Sequence, residues 1–449
     1  MVGYHVVNVL FHVVASVLLV LLFRRTGVAP AAAAFGGAFF LVHPANVEAV
    51  AWINQLKTSS AMVLCLSAVL LHPRRPGVGA LLFALALMAK PTAAAAKKSA
   101  TALGWLRRPE GEEEVDWRWP WLGGWAVILV LFAVAEFAAF GQTAGQAPTL
   151  YEDVFDRVRG IFAVAMRYLV MATTTWGLSA FHEPDAAGPW NPWWLLSLPC
   201  LAALGWRAVL CLRERRPEAA WWIFAVVSFG PICGVIPLPF PLADRYLYFI
   251  LPGLVGGALL AGGRWFEGLP DDRRERLARG LRVAAVVVLV LFAARSFDRA
   301  TIWQTPFLVM GDAVRHYPDG VAAKTQRATQ AALKGDARTA VALLEAARER
   351  GYNRLDHLLM PGYAPIQADP AFVALKQQWA REWIERLSKN ESPSQHELQL
   401  IAQAYVVLDD FEGARRALVR AIERGGPITE NLEHDLAEVE RAIRFQRLR

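Results

Sequence analysis

Charged side chains are sparse in this 449-residue chain, so chemistry is to be sought where they gather beside aromatic residues or proline. Asp244-Arg245 stands before Tyr246 and Tyr248 and after the run Pro237-Leu-Pro-Phe-Pro241. A charged pair in that setting fits a pocket for a lipid headgroup, or serves as a structural ion pair. Lys90, next to Pro91 at the end of an apolar run, reads as a ligand for a lipid phosphate or as a snorkelling side chain. His43, before Pro44, either hydrogen-bonds a phosphate or merely ends its segment. Glu48 is a carboxylate open to catalysis, or to capping and pairing with Lys57 or Arg245. Asp153 and Asp156 lie in the acidic stretch Tyr151–Asp156, which reads as a solvated helix start, where carboxylates are favoured. His5 and His12 share one helix face without an acidic or cysteine partner, so packing explains them better than metal ligation.

These residues hang on a strongly apolar frame. Hydrophobic residues make up 55% of the chain and charged residues 19%, with mean hydropathy +0.29. A soluble chain of this length exposes more charge, so much of the apolar surface must face lipid. A helix crosses the hydrocarbon core with about 20 apolar residues. The pattern predicts about ten spans: 4–23, 30–43, 60–72, 77–91, 92–106, 122–140, 192–212, 219–236, 247–263 and 281–297. The fifth is short, Ala-rich and interrupted by Lys97-Lys98, and is expected to be shielded by its neighbours. Arg24-Arg25, Arg74-Arg75, Arg107-Arg108, Arg213–Arg216 and the arginines from Arg264 to Arg282 place one set of connections in the cytoplasm. The His43–Ser60 loop, Lys90, Asp244 and the tail then fall outside. Segment 158–178 carries Arg159 and Arg167 and is expected to lie on the outer face or re-enter. Trp117, Trp119, Trp121, Trp190, Trp193, Trp194, Trp221 and Trp222 are expected to form interfacial belts at span ends.

Other classes recede. The net charge of +7 comes from short runs between apolar segments, without the aromatic-interleaved basic patches of a nucleic-acid interface. The four cysteines, Cys65, Cys200, Cys211 and Cys233, show neither CxxC nor Cys/His spacing, so neither disulfides nor a metal site is expected. No cleavable leader is expected, because Arg24-Arg25 follow the first apolar run instead of preceding it.

From about residue 300 the composition turns to Ala, Arg, Glu and Gln with helical periodicity, dividing the chain into 1–299 and 300–449. Lys334–Gly351 aligns without gaps on Leu408–Gly425. Ala340 and Ala414 occupy equivalent packing positions, followed by Leu344 and Leu418, then by Ala347 and Ala421, and each segment closes on glycine. With Tyr405 on the preceding helix, this is the tetratricopeptide pattern. It predicts a short helical solenoid with an irregular joint at Pro361–Ala371, an unrelated helical bundle being the alternative.

The whole resembles the GT-C type membrane glycosyltransferases that carry tetratricopeptide repeats, bacterial relatives of the transmembrane-and-TPR O-mannosyltransferases. The resemblance rests on His43-Pro-Ala-Asn-Val-Glu48-Ala-Val-Ala-Trp52, Ala89-Lys90-Pro91, Ala243-Asp-Arg-Tyr-Leu-Tyr248, Trp303, and the opening Tyr4-His5-Val-Val-Asn8-Val-Leu-Phe-His12. It implies an all-α, polytopic bundle of about ten spans followed by the repeats. It also implies transfer of a mannose-like sugar from a polyprenyl-phosphate donor to a protein or glycan acceptor at the extracytoplasmic face of a bacterial inner membrane. The donor is the expected bound molecule, and no other cofactor or metal is implied. Such a single inverting displacement needs a carboxylate base and cations for the departing lipid phosphate. His43, Lys57, Lys90, Asp244, Arg245 and Tyr246 become the expected phosphate-site residues. Glu48, or else Asp153 and Asp156, is then the candidate base. Two departures matter. The chain begins at what resembles the family's second span, without the first span and its acidic loop. After Trp52, where the family has a basic-acidic cluster, it reads Leu56-Lys57-Thr58. A non-catalytic membrane anchor whose repeats bind a partner protein is therefore the alternative, ahead of a lipid-carrier transporter, for which paired inverted halves are not evident.

Overall fold

The computed structural model describes residues 2–94, 119–140, 153–185, 187–235, 240–390 and 392–447. Every regular element among them is helical, and no strand is present among the described residues. The chain divides into two compact units, Met1–His316 and Tyr317–Arg449.

The first unit holds α1 (Val2–Arg25), α2 (Pro30–Leu41), α3 (Val47–Ala51), α4 (Leu56–Leu71), α5 (Pro76–Ala89) and α6 (Trp119–Phe140). It continues with α7 (Val154–Thr173), α8 (Pro192–Arg213), α9 (Glu218–Phe229), α10 (Leu247–Glu267), α11 (Asp271–Ile302) and α12 (Pro306–His316). Among the described residues, six stretches are long and apolar enough to cross a membrane: Gly3–Arg25, Ile53–Leu71, Trp119–Ala138, Pro192–Arg213, Asp244–Glu267 and Asp271–Ile302. The shorter apolar helices Pro30–Leu41, Pro76–Ala89 and Glu218–Ile232 fall on expected spans two, four and eight. The expected fifth span lies almost wholly outside the described residues, as do Lys97, Lys98, Trp117, Tyr151, Glu152 and Pro237-Leu-Pro239. Proline at the first helical turn starts α2, α5 and α8, where its missing N–H costs nothing. α7, though 20 residues long, is not among the stretches apolar enough to cross a membrane. It buries Gly160, Ala163, Val164, Tyr168 and Met171 on one face, while Val154, Phe155 and Val158 stay exposed. An amphipathic helix of this kind suits a membrane interface better than its interior.

α9 and α10 pack closely through glycines of α10. A Cβ added at Gly256 would collide with the Trp221 ring, and one at Gly257 with the Trp222 ring. Trp221 is accordingly buried, stacks obliquely on Phe23 and donates Nε1–H to Thr26 Oγ1 at 3.1 Å. This corrects its assignment to an interfacial belt, since the small α10 face admits it to the core. Trp119, Trp121 and Trp190 are exposed as a belt requires. His5 is corrected as well. It is exposed, whereas His12 is buried between Tyr248 Oη (2.9 Å) and the Leu41 carbonyl (3.0 Å).

The second unit contains α13 (Val321–Leu333), α14 (Ala337–Arg348), α15 (Leu355–Leu358), α16 (Pro370–Ser388), α17 (Gln395–Val407), α18 (Phe411–Arg424) and α19 (Thr429–Arg447). Two of its hairpins follow one recipe. At the turn, Gly335 (φ 77°) and Asp409 (φ 59°) take the left-handed conformation. The next residue, Asp336 or Asp410, then caps the second helix by accepting from Thr339 N (3.0 Å) or Gly413 N (2.7 Å). Ala340, Leu344 and Ala347, and likewise Ala414, Leu418 and Ala421, are buried, at the positions the alignment marks for packing. Between the hairpins, Pro361–Ile366 forms a 3-10 turn where an irregular joint was expected. The first unit runs past the composition change near residue 300 because the end of α11 is tied to α12 by an ion pair described below.

Candidate functional site

The His43–Trp52 segment builds one wall of the site. His43 Nδ1 accepts from Ala45 N at 3.2 Å, starting a 3-10 turn at Pro44, and its Nε2 faces the Ala172 carbonyl at 3.3 Å. With Nδ1 accepting, Nε2 must carry the proton, so the ring is neutral. Burial pushes its pKa down to about 4, against the smaller opposing effect of the Ala172 carbonyl. Asn46 Nδ2 donates to Phe40 O at 2.7 Å, fixing α3 against the end of α2. α3 then delivers Glu48, which is 1% exposed.

The opposite wall is the 3-10 turn Asp244–Tyr246 at the head of α10. Glu48 Oε2 accepts from Arg245 N at 2.8 Å, and Oε1 accepts from the Arg245 guanidinium. Phe240, Tyr246 and Trp52 surround that guanidinium, with ring centres 4.8, 4.9 and 5.3 Å from it. Burial raises the Glu48 carboxyl, while the Arg245 charge pulls it back.

Lys90 ends α5 beside this pair. Its Nζ donates to Thr58 Oγ1 at 2.8 Å, Thr58 donates to Gln55 Oε1 at 2.7 Å, and Phe249 lies beneath it at 5.9 Å. Burial first, then the positive charges of Arg245 and Lys57, push Lys90 down to about 7, with Glu48 opposing. Thr58 is neutral, so the side chain that accepts from Lys90 brings no charge to it. Among the described residues, Lys57, Lys90 and Arg245 gather around one carboxylate, Glu48, so positive charge is in excess among them. Thr58→Asp should move Lys90 back toward the ordinary lysine value of about 10. The pH dependence of amine acylation at Lys90 reads this directly, and an unchanged profile would show that Thr58 does not set the Lys90 charge.

Asp244 and Arg245, expected to act as one pair, do not pair with each other. Successive residues of a 3-10 turn point about a third of a turn apart, so Asp244 faces a separate buried network. Its Oδ1 is 2.7 Å from His182 Nε2 and accepts from Ser179 N at 3.3 Å, while Oδ2 meets Arg299 at 3.2 Å. Arg299 also binds Asp312 at 3.2 Å, and Asp312 in turn accepts from Ala180 N at 2.7 Å. Sequence reading missed His182, Arg299 and Asp312. Their only local signal is that Arg299 closes a long apolar helix. Asp244 therefore takes part in a buried network that ties the loop 179–182, α11 and α12 together, instead of pairing with Arg245.

The other expectations separate cleanly. Tyr246 is beside Arg245, and exposed Lys57 adds its charge to Lys90. His43 is occupied by the two backbone groups already named. Glu48 has both oxygens engaged by Arg245, which fits a positioning residue better than a base. Asp153 caps α7 by accepting from Asp156 N at 2.7 Å, and Asp156 pairs with Arg159, as a solvated helix start requires. Among the described residues, no group of three or more His, Cys, Asp or Glu could hold a metal ion. Comparison with protein-family models, with curated proteins and with solved structures finds no match.

Proposed function

We propose that this chain is a GT-C type membrane glycosyltransferase that takes a mannose-like sugar from a polyprenyl-phosphate donor and passes it to a protein or glycan hydroxyl at the extracytoplasmic face. The observation that supports this reading most is that, among the described residues, Lys57, Lys90 and Arg245 gather around one carboxylate at the helix ends of an apolar bundle. A phosphodiester supplies the missing negative charge, and as leaving group it gains most from fixed cations in a partly dehydrated site. Glu48 fixes Arg245, and Trp52, Phe240 and Tyr246 shield the guanidinium from water. The paired hairpins of Tyr317–Arg449 are, on this reading, tetratricopeptide-type repeats that engage the acceptor on the same side of a bacterial inner membrane.

A transfer assay with polyprenyl-phosphate mannose and glucose tests the proposal. Transfer is expected from at least one donor, and its absence from both, with folded protein and a range of hydroxyl acceptors, overturns it. Lys90→Gln should weaken donor binding about tenfold, the loss of one charge-assisted phosphate contact. The pH dependence has a definite sign. Lys90 is cationic below its pKa of about 7 and neutral above it, so donor affinity should fall as pH rises through that value. The Lys90→Gln variant should lose this dependence, as titration of binding against pH will show.

A second reading, a membrane-anchored scaffold whose repeats bind a partner protein, is favoured by one observation: Glu48 is sealed against Arg245. It predicts no transfer from either donor, together with a partner retained on the full-length chain.

A further inference from the structure

On another face of α3 from Glu48, a cavity of about 420 Å³ is bounded by Val47 and Val50 of α3, by α1, and by the end of α11. That volume lies within the range of small-molecule sites, roughly 300–1,000 Å³. Its lining contains no Asp, Glu, Lys or Arg, in contrast to the cation cluster nearby. It nevertheless offers hydrogen-bonding groups from His5, Asn46, Ser296, Trp303 and Gln304. Two of these are incompletely satisfied: Asn46 Oδ1 and Trp303 Nε1 are buried without a partner. Asn46 donates one amide hydrogen to Phe40 O, while its Oδ1, an acceptor, has no donor and could be met by one on a ligand. Such an orphaned acceptor and donor cost stability unless something fills them. Ser296 already donates to the Val42 carbonyl at 2.7 Å, which leaves its oxygen free to accept. The mouth has a different character. Val9 lines the cavity yet is 48% exposed, on the same apolar stretch of α1 as the exposed Val6, Leu10 and Val13. A ligand therefore meets hydroxyl-matching groups inside and a lipid-facing helix surface at the entrance.

We propose that this cavity is a binding site for a neutral, hydroxyl-bearing amphiphile of the alkyl glycoside class, with the sugar inside and the alkyl chain leaving along α1. The lining holds no Lys or Arg, and the His12 and His43 ring nitrogens are already engaged by Tyr248, Leu41, Ala45 and Ala172, so a phosphate is disfavoured. The unpartnered Asn46 and Trp303 groups favour a ligand with several hydroxyls over a simple alcohol. The site stands independently of the transferase reading, because its occupancy can be read without turnover.

The test uses the full chain in lipid nanodiscs and a hexyl β-D-glucoside carrying a diazirine on its alkyl chain. Photolabelled peptides are mapped by mass spectrometry, with hexyl β-D-glucoside, hexyl phosphate and hexanol as competitors. Label is expected on peptides covering 1–12, 41–51 or 296–304, displaced by the glucoside and not by the other two at equal concentration. Val50→Trp, which fills the cavity, should reduce labelling at least about tenfold, while Lys90→Gln leaves it unchanged. Gln304→Ala alters an exposed residue at the rim, where truncation removes no buried packing. It should weaken competition by the glucoside a few-fold, as loss of one neutral hydrogen bond does. Label elsewhere overturns the proposal, as does displacement by hexanol as effective as by glucoside. So does wild-type competition in folded Gln304→Ala together with wild-type labelling in Val50→Trp.

Discussion

Arg299→Met should lower the thermal stability of the bundle more than any other single substitution outside its apolar core. Arg299 is 1% exposed and is the guanidinium that both Asp244 and Asp312 meet. Removing it leaves two buried carboxylates facing each other's field, with His182, His316 and backbone N–H groups as their remaining partners among the described residues. Breaking a buried ion pair by deleting one partner costs about 3–5 kcal/mol, mostly because the remaining charge is stranded. Arg299→Lys should recover only part of the loss, since an ammonium cannot fork to two carboxylates as a guanidinium does. Adding Asp244→Asn and Asp312→Asn to Arg299→Met removes the stranded charges and should raise the melting temperature again. Thermal unfolding in detergent, followed by circular dichroism and by loss of the monodisperse peak, measures all three. A wild-type melting temperature in Arg299→Met would mean that the network contributes nothing to holding α11, α12 and the loop at 179–182.

The second large effect is expected at Glu48. Glu48→Ala deletes the one carboxylate that, among the described residues, stands with Lys57, Lys90 and Arg245, and removes the ion-pair partner of Arg245, which is 8% exposed. A similar penalty of about 3–5 kcal/mol follows from the stranded guanidinium. The consequence for Lys90 is separable from stability and has its own sign. Glu48 is the group that raises the Lys90 pKa against burial and two positive neighbours. Glu48→Gln, which keeps the shape, should therefore move Lys90 below its value of about 7, leaving it neutral through the physiological range. Acylation of Lys90 would then be complete at lower pH than in the wild type. A donor that binds through its phosphate should lose affinity in Glu48→Gln near neutrality and regain part of it on acidification. If acylation of Lys90 in Glu48→Gln follows the wild-type curve, the two side chains are not electrostatically coupled.

What could be read from the chain and what could not divides along sequence distance. Most apolar helices were legible because membrane length is a one-dimensional property of a window of residues. α7 was legible as an exception because Arg159 and Arg167 interrupt its apolar pattern, and the structure gives those arginines local partners, Asp156 for one and the Trp193 ring for the other. The hairpins were legible because Ala340 and Ala414 recur with their followers at helical spacing. The site was only half legible. Arg245 and Lys90 announced themselves as charges beside apolar runs, but their geometry depends on Glu48, far away in sequence. Asp244 was misread because its partners, His182, Arg299 and Asp312, lie in three other segments, and nothing local distinguishes a carboxylate facing them from one facing a ligand. Trp221 was misread for the complementary reason: hydropathy sees a tryptophan near a helix end, while Gly256, the residue that makes room for it, sits on another helix.

That Gly–Trp interlock also bears on how the bundle can move. With the Trp221 and Trp222 rings standing where side chains of α10 would begin, and Gly253 seated on the backbone of α9, a slide of one helix past the other by a single residue would drive Cβ atoms into aromatic rings. α9 and α10 are thereby a single mechanical part. Any breathing that admits a long lipid chain must occur at seams lined by larger, softer side chains, and hydrogen exchange should find α9 and α10 opening together as the slowest pair in the bundle.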